Sequence, residues 1–501
     1  MRRVAALGGF LTLAAGCAAP TVPTAPALFV VTNGIGSGEM RVSMPKEGCG
    51  VDCLGVMGKG AALRIIGHPH PGSRFDGFSG PCTGRMPCVL PFDRQRWVAA
   101  SFSDAAARYD RPLGDGRFFV SSPRAVALDK GGGGAVVGVR DAWLGRFDRE
   151  GQKAWDLAGD NRAVTAVVFD AASDIVAVGG ARVEKRGASG GPLWVFDFEW
   201  GSKATDVAVD AAGDIYVVGT FAGVVKVGKQ RLESAGGLDV FVARISPEGK
   251  PIEALRMGGP TDEREPRIAT EGSSAVHVAY VAGGLEDEFK RPDCGAARIV
   301  SFAPFGQKAW EAPIEGKARV EVLRTTTGGE VVAAGRFADG IKLAGMALRS
   351  NGGNDAMVVK LDRNGGALWA KSFGGTRNDE VSALDVDSSG RIALFGTFEA
   401  EMKVSGTTLQ AKRIRRTWQH GMSFDGTTLD AWFSVLSPEG EVRSAKAFGG
   451  SGNDFALAVT WAEGGDVVLL FDQEELSVSS EGYGPGSSLQ RRLVRRPAEA
   501  P

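Results

Sequence analysis

The chain has 501 residues, with 58 Lys and Arg against 59 Asp and Glu and a formal net charge of −1. That balance excludes nucleic acid as the main partner, because holding phosphates takes a strong basic excess, and 43% hydrophobic residues exclude a wholly disordered chain. Glycine reaches 72 residues, about twice ordinary usage, with 23 prolines and no Gly-X-Y period, which excludes collagen and points to many short strands joined by tight turns.

The first segment, MRRVAALGGFLTLAAGCAAP, has a charged start at Arg2 and Arg3 and an apolar run over 4–15. The run is too short to span a bilayer and suits a secretory signal. Its end, Leu13-Ala14-Ala15-Gly16-Cys17, resembles the bacterial lipoprotein signal, although the branched residue lies one place further out than that family prefers. The resemblance implies a signal peptide over 1–16 and lipidation of Cys17, with several acyl chains giving stable membrane anchoring. Ala18 stands where an inner-membrane retention signal would place Asp, so the resemblance implies the outer membrane. Residues 17–27 then form the lipidated cysteine and a Pro/Ala-rich tether.

Of six cysteines, Cys49, Cys53, Cys82 and Cys88 cluster in the next segment. Exported chains favour disulfides over the competing zinc reading, for which neither pair is a CxxC, and of the three pairings that four cysteines allow the short separations favour Cys49–Cys53 and Cys82–Cys88. Short apolar runs at 28–32, 62–66 and 97–102 predict a small β-rich module over 28–103. Gly34-Ile35-Gly36-Ser37-Gly38, the Cys49-Gly50-x-x-Cys53 pair, GSRFDGFSG at 72–80, Cys82-x5-Cys88 and Val98-x-Ala100-x-Phe102 resemble the bacterial repeat domain related to the internalin B-repeat. Phe78 stands where that family has Trp.

Seven copies of an apolar hairpin follow, at 125–138, 166–179, 206–219, 268–283, 322–335, 383–396 and 456–471. Each is an apolar strand, a polar turn and a second β-branched strand, the pattern of strands buried on both faces. Between them lie hairpins that alternate apolar and polar residues, at 141–155, 239–255, 296–310, 355–369 and 430–445, with a degenerate copy at 193–204. Two hairpins per period of about 55 residues is the arithmetic of a propeller blade. Gly352-Gly353-Asn354-Asp355 through Trp369, Phe373-Gly374-Gly375 to Asp379, Gly236-Gly237-Leu238-Asp239 and AFGGSGNDF at 447–455 resemble the bacterial β-propeller repeat family, over residues 107–497. The fold expected is all-β: a small disulfide-stapled β module followed by a seven-bladed β-propeller over 104–497. RYDRPLG at 108–114 has a fourth-strand pattern with no third strand before it, and SLQRRLVRR at 488–496 looks like a third strand with no fourth. Residues 107–114 are therefore expected to pair with 488–496 in the last blade.

Chemistry is sparse. His68 and His70 flank Pro69 as exposed residues, His277 lies in an apolar strand as a satisfied core histidine, and His420 stands alone; none belongs to an HExxH motif. No nucleophile elbow with triad partners occurs. Asp210, Asp214, Asp239, Asp355, Asp379, Asp387 and Asp454 recur at turns without a complete calcium loop, so they are expected to accept turn N–H groups. Cys294 is the odd cysteine, inert or forming an intermolecular bridge. An excursion at 401–429 carries Lys412, Arg413, Arg415, Arg416, Trp418 and His420, either a binding loop or a solvated excursion. No catalytic, cofactor or metal residue is assigned. The function expected is a non-catalytic envelope lipoprotein binding or adhering through propeller loops, its partners the membrane through the lipid and an unknown protein or glycan. A scaffold subunit of an envelope complex and a channel-sited lyase or hydrolase are the alternatives.

Overall fold

The computed structural model describes residues 28–34, 36, 38–43, 61–92, 96–113, 126–129, 134–139, 143–148, 152–157, 164–272, 275–283, 295–411, 413–417, 423–450, 452–477 and 486–499. Cys17, Cys49, Cys53, Cys294, Lys412, Trp418 and His420 lie outside the described residues. The described residues are nearly all β, and the helical turn among them is the 3-10 segment Glu463–Gly465.

The apolar runs near the start fold into two three-stranded sheets. Leu28–Asn33 runs parallel to Arg96–Asp104, which pairs antiparallel with Ser73–Ser79. Gly38–Ser43, Ala61–Pro69 and Cys88–Phe92 form the second sheet. Met40, Val42, Leu63, Ile65, Leu90, Val98 and Phe102 close around Phe78, whose ring meets Phe75 edge-on at 4.9 Å. A disulfide joins Cys82 and Cys88. Asp104 ends the module, and its buried carboxylate lies 3.2 Å from both Lys446 Nζ and Arg496 Nη1, tying the module to distant parts of the chain.

From Val126 the chain repeats a four-stranded antiparallel unit. The first sheet is Val126–Asp129, Gly134–Val139, Trp143–Phe147 and Lys153–Leu157; the second is Ala166–Phe169, Ile175–Gly179, Arg182–Arg186 and Pro192–Asp197. The third is Ser202–Val209, Ile215–Val227, Gln230–Ile245 and Pro251–Met257. The fourth holds Glu263–Glu271, Ala275–Ala282, Gly295–Phe302 and the start of Lys308–Thr325. That long strand shifts register between Glu315 and Lys317 and continues as the first strand of the fifth sheet, with Val331–Leu343, Met346–Leu361 and Ala367–Phe373. The sixth is Asp379–Val386, Ile392–Glu399, Leu429–Leu436 and Val442–Phe448. The closing sheet is Asp454–Trp461, Asp466–Ser477, Gly486–Pro497 and, from the other end of the chain, Tyr109–Leu113, with Arg491 opposite Leu113 and Arg495 opposite Tyr109.

The first strand of each sheet touches the first strand of the next, and Asp454–Trp461 touches Val126–Asp129, so the inner strands form a closed ring. This is the arrangement of a β-propeller. Burial follows position in the sheet. Residues 215–221 of the second strand are buried without interruption, whereas Pro192–Asp197, an outer strand, is largely exposed.

Two expectations need correction. The outer hairpin of the second sheet is Arg182–Arg186 with Pro192–Asp197, not 193–204; Ser202–Val209 already begins the third sheet. Arg182, Glu184, Lys185 and Arg186 disguise that strand, yet Val183 within it is fully buried, and Lys185 reaches the turn carboxylates Asp170 at 2.7 Å and Asp174 at 3.3 Å. The excursion also begins later than 401. Residues 401–404 pair with 407–410 as a short ribbon, matching the ribbons of the third sheet (224–227 with 230–233) and the fifth (340–343 with 346–349). All three press alternate apolar residues into the core: Val225 and Val227, Ile341 and Leu343, Met402 and Val404. The turns Ala344-Gly345 and Ser405-Gly406 have positive φ at both positions, the geometry of a tight type I′ turn.

Neighbouring sheets are latched by tryptophan. The indole N–H groups of Trp155, Trp194, Trp310 and Trp369 donate to the carbonyls of Ala188, Pro247, Arg363 and Pro438 on the outer turn of the next sheet, at 2.8–3.0 Å. Each ring covers a turn glycine, Gly190, Gly249, Gly365 or Gly440, where φ is positive and a Cβ would lie 2.6–3.1 Å from the ring. Trp369→Ala removes packing and a hydrogen bond together and is expected to cost roughly 2–4 kcal/mol in chemical denaturation, whereas Trp369→Phe, which loses mainly the hydrogen bond, costs about 1 kcal/mol. Equal losses in the two variants would refute the latch.

Candidate functional site

A linked set of buried ionisable groups lies on and beside the innermost strands, where the backbone is irregular. The first strands bulge at Thr205, at Glu265-Pro266, at Glu321, at Ser382 and at Leu457, each opposite the apolar second strand of its own sheet. A bulge inserts one extra residue and re-aims its side chain. Across the third to sixth sheets these positions carry linked polar contacts. Thr205 Oγ1 donates to the Pro266 carbonyl of the next sheet at 3.3 Å. Arg267, fully buried, donates Nε to the Glu321 carbonyl at 2.8 Å and Nη2 to Glu321 Oε2 at 2.9 Å and Glu265 Oε2 at 3.2 Å. Arg319 meets Glu321 Oε1 at 2.6 Å and Glu265 Oε2 at 3.0 Å, and Arg336 Nη1 meets Glu380 Oε2 at 2.5 Å.

Three guanidinium groups thus face three carboxylates. Burial disfavours the charge on Arg267, but Glu321 and Glu265 outweigh it and hold the group above its ordinary value. Burial pushes the Glu380 carboxyl up, opposed by Arg336. A general acid or base needs a proton it can exchange at working pH with a substrate in reach. Here Glu265, Glu321 and Glu380 are each committed to a guanidinium, and the buried Asp206 adds its charge to those holding Arg267.

His277 does not sit as expected. It is buried, stacked on Trp310 at 5.6 Å, and neither ring nitrogen has a hydrogen-bond partner. Burial pushes it down to about 4, so it is neutral at physiological pH. The satisfied core histidine is corrected to an unsatisfied one, held by the apolar packing of its strand and the indole face. His68 lies on Ala61–Pro69 and His70 just after it. Among the described residues no group of three or more His, Cys, Asp and Glu could hold a metal ion. Arg413, Arg415 and Arg416 lie on Arg413–Thr417, paired with Ser423–Thr427 in a two-stranded hairpin of its own.

The aspartates divide into three kinds, and Asp214 stands by itself: its Oδ2 accepts from Arg244 Nε at 2.8 Å and Nη2 at 2.5 Å rather than from a turn N–H. Asp210 and Asp387 cap turns: Asp210 Oδ1 accepts the N–H of Ala212 and Asp214 at 2.9 Å, and Asp387 Oδ1 accepts those of Ser389 and Arg391 at 3.0 and 2.8 Å. Asp239 and Asp355, within the long strands Gln230–Ile245 and Met346–Leu361, and Asp379 and Asp454, at strand starts, instead stand shortly after glycine doublets and are at most 1% exposed. Each accepts an N–H through Oδ2, from Ala235, Asn351, Gly375 and Gly450 respectively. They fall in pairs twenty-four positions apart, Asp239 with Glu263, Asp355 with Asp379, and Asp430 with Asp454, across successive sheets. Burial pushes Asp355 up to about 6 and Asp379 up to about 7, the latter helped by the Asp355 charge. The spacing is visible in the sequence, but turn capping alone explains the aspartates there and hides the pairing.

No protein-family model and no curated protein matches the chain. Among solved structures it is similar to a protein of unknown function from Bacteroides caccae (11% identity, 62% of this chain and 92% of that one, TM-score 0.37). It is also similar to BamB from Moraxella catarrhalis (11% identity, 88% and 94%, TM-score 0.36) and to the Dos1 propeller (10% identity, 78% and 96%, TM-score 0.41).

Proposed function

We propose that the chain is a non-catalytic lipoprotein of the cell envelope, anchored through Cys17 at the outer membrane, whose seven-bladed propeller serves as a docking surface for a protein or glycan. The observation that carries the reading is the mutual neutralisation of the inner-strand charges. Glu265, Glu321 and Glu380 are spent on Arg267, Arg319 and Arg336, so these three inner-strand acids offer no free carboxylate for catalysis. A rigid ring of latched sheets with irregular connections is the scaffold on which binding loops are displayed. The blade number is supported by the repeated hairpins and by the ring of first-strand contacts.

The anchoring is tested by expressing wild type and Cys17→Ser in a Gram-negative host. The wild-type chain should label with palmitate and sediment with outer membranes, and the variant should move to the soluble periplasmic fraction. A variant that stays with the membranes overturns lipid anchoring. Crosslinking in intact envelopes then separates the modes of docking: one defined protein adduct supports a scaffold subunit, retention on glycan supports adhesion, and turnover of a substrate that is lost in Glu321→Gln overturns the non-catalytic reading.

A further inference from the structure

Two large apolar side chains that the fold leaves in water belong to the first module, Met86 at 78% and Val89 at 59% exposure. Met86 lies in the loop that the Cys82–Cys88 disulfide closes, and Val89 follows that loop directly. On Cys88–Phe92 the alternate residues Cys88 and Leu90 enter the module core, so Val89 and Pro91 face outwards, with the exposed Arg64 and Ala62 opposite them. Arg41 lies on the same outer face one strand further on, opposite Ile66. Among the described residues of this face the acid is Glu39, and Arg41 holds it at 2.7 Å. The outer face of the module's second sheet is thus cationic and apolar together.

Charge and position fit one partner. Residues 28–103 carry eight Lys and Arg against five Asp and Glu, whereas residues 104–501 carry forty-eight against fifty-four, so the module is cationic and the propeller segment anionic. An anionic surface attracts the first and repels the second. The strands Leu28–Asn33 and Arg96–Asp104 run parallel, and their far ends meet the propeller. The contacts are the ion pairs of Asp104 with Lys446 and Arg496, and Gly34, whose carbonyl lies 3.8 Å from where a Cβ on Gly450 would stand. The opposite end, at Leu28, receives the chain from Cys17. The eleven residues 17–27 reach at most about 40 Å, so a lipid on Cys17 keeps the module beside the bilayer.

We propose that the outer face of the second sheet, with the stapled loop beside it, lies on the bilayer that holds Cys17. Arg41 and Arg64 meet the phosphates of anionic phospholipid, and Met86 and Val89 enter the boundary between headgroups and acyl chains. The proposal rests on the lipid-anchored reading above. Each cation near an anionic leaflet adds attraction, and each buried apolar side chain adds area. Neither is strong by itself, but a short tether presents the face to the lipid at high effective concentration, so weak contacts suffice. The consequence is orientation. The anionic propeller is held on the far side of the module instead of swinging freely on the tether.

The test is sedimentation of the full chain, made soluble by Cys17→Ser, with vesicles of phosphatidylcholine alone or with about one third phosphatidylglycerol, at low ionic strength. Binding should favour the anionic vesicles, and fall about tenfold or more in Arg64→Glu and about threefold or more in Met86→Asp. Both side chains are exposed, so the parent Tm should persist in both variants. Lys342→Glu, which reverses an exposed charge on the ribbon of the fifth sheet, should leave binding unchanged. This protein carries no lipid, so the result is independent of the palmitate test: failed labelling of the wild type overturns the anchor, whereas absent vesicle binding overturns the face. Equal binding to the two vesicles, binding that survives in both Arg64→Glu and Met86→Asp, or an equal loss in Lys342→Glu also overturns the proposal. If vesicles are not bound and a photocrosslinker at Val89 captures a protein in intact envelopes, that protein is the occupant instead.

Discussion

Deleting residues 486–501 lowers the melting temperature of the propeller by more than 10 °C or abolishes its cooperative transition. The deleted segment is the third strand of the closing sheet and is paired along its length with Asp466–Ser477 on one side and with Tyr109–Leu113 on the other. Its loss exposes the apolar faces that Leu493 and Val494 cover and leaves Tyr109–Leu113 with no strand to pair with. It also strips ion pairs. Arg492 Nη2 lies 2.7 Å from Asp110 and Arg495 Nε 2.9 Å from Asp466, while Arg496 meets the fully buried Asp104 that anchors the first module. A buried charge deprived of its partner costs about 3–5 kcal/mol, and here several go at once. Circular dichroism melting and limited proteolysis read the result, and an unchanged Tm would refute closure through the chain ends.

The complementary deficit of those ends, a fourth strand without a third at 108–114 and a third without a fourth at 488–496, is a sequence signal because each strand position in the sheet has its own burial pattern. The inner hairpins were legible for the same reason: Ile215–Val227 and Val331–Leu343 begin with unbroken buried runs, mostly β-branched and small apolar residues. Legibility fails where charge is spent internally. Arg182–Arg186 reads as solvent-facing because nothing local shows that Asp170 and Asp174 lie within reach of Lys185. The 401–410 ribbon reads as the start of an excursion because Glu401 and Lys403 mask the buried Met402 and Val404, although the same alternation recurs at 224–233 and 340–349. At the inner strands the acids are visible as letters, but whether Glu321 is free or neutralised depends on Arg267, fifty-four positions earlier, and that is decided only by the ring.

That neutralisation has a measurable size. Glu321→Ala leaves the Arg267 guanidinium at 0% side-chain exposure with Glu265 Oε2, the Glu321 and Pro266 carbonyls and the charge of the buried Asp206 to hold it, and removes one of the two carboxylates facing Arg319. The expected loss is about 3–5 kcal/mol in chemical denaturation, the scale of a buried pair broken on one side. Replacing both partners, Arg267→Met with Glu321→Leu, removes the buried charge instead of stranding it, and Arg319 keeps its 3.0 Å contact with Glu265. The double variant should therefore recover most of what the single variant loses, and the cycle should give a coupling of about 2–3 kcal/mol. Additive losses would mean that the charges do not offset one another; Glu321 would then be a carboxylate available to chemistry, and the non-catalytic reading of the ring would lose its main support.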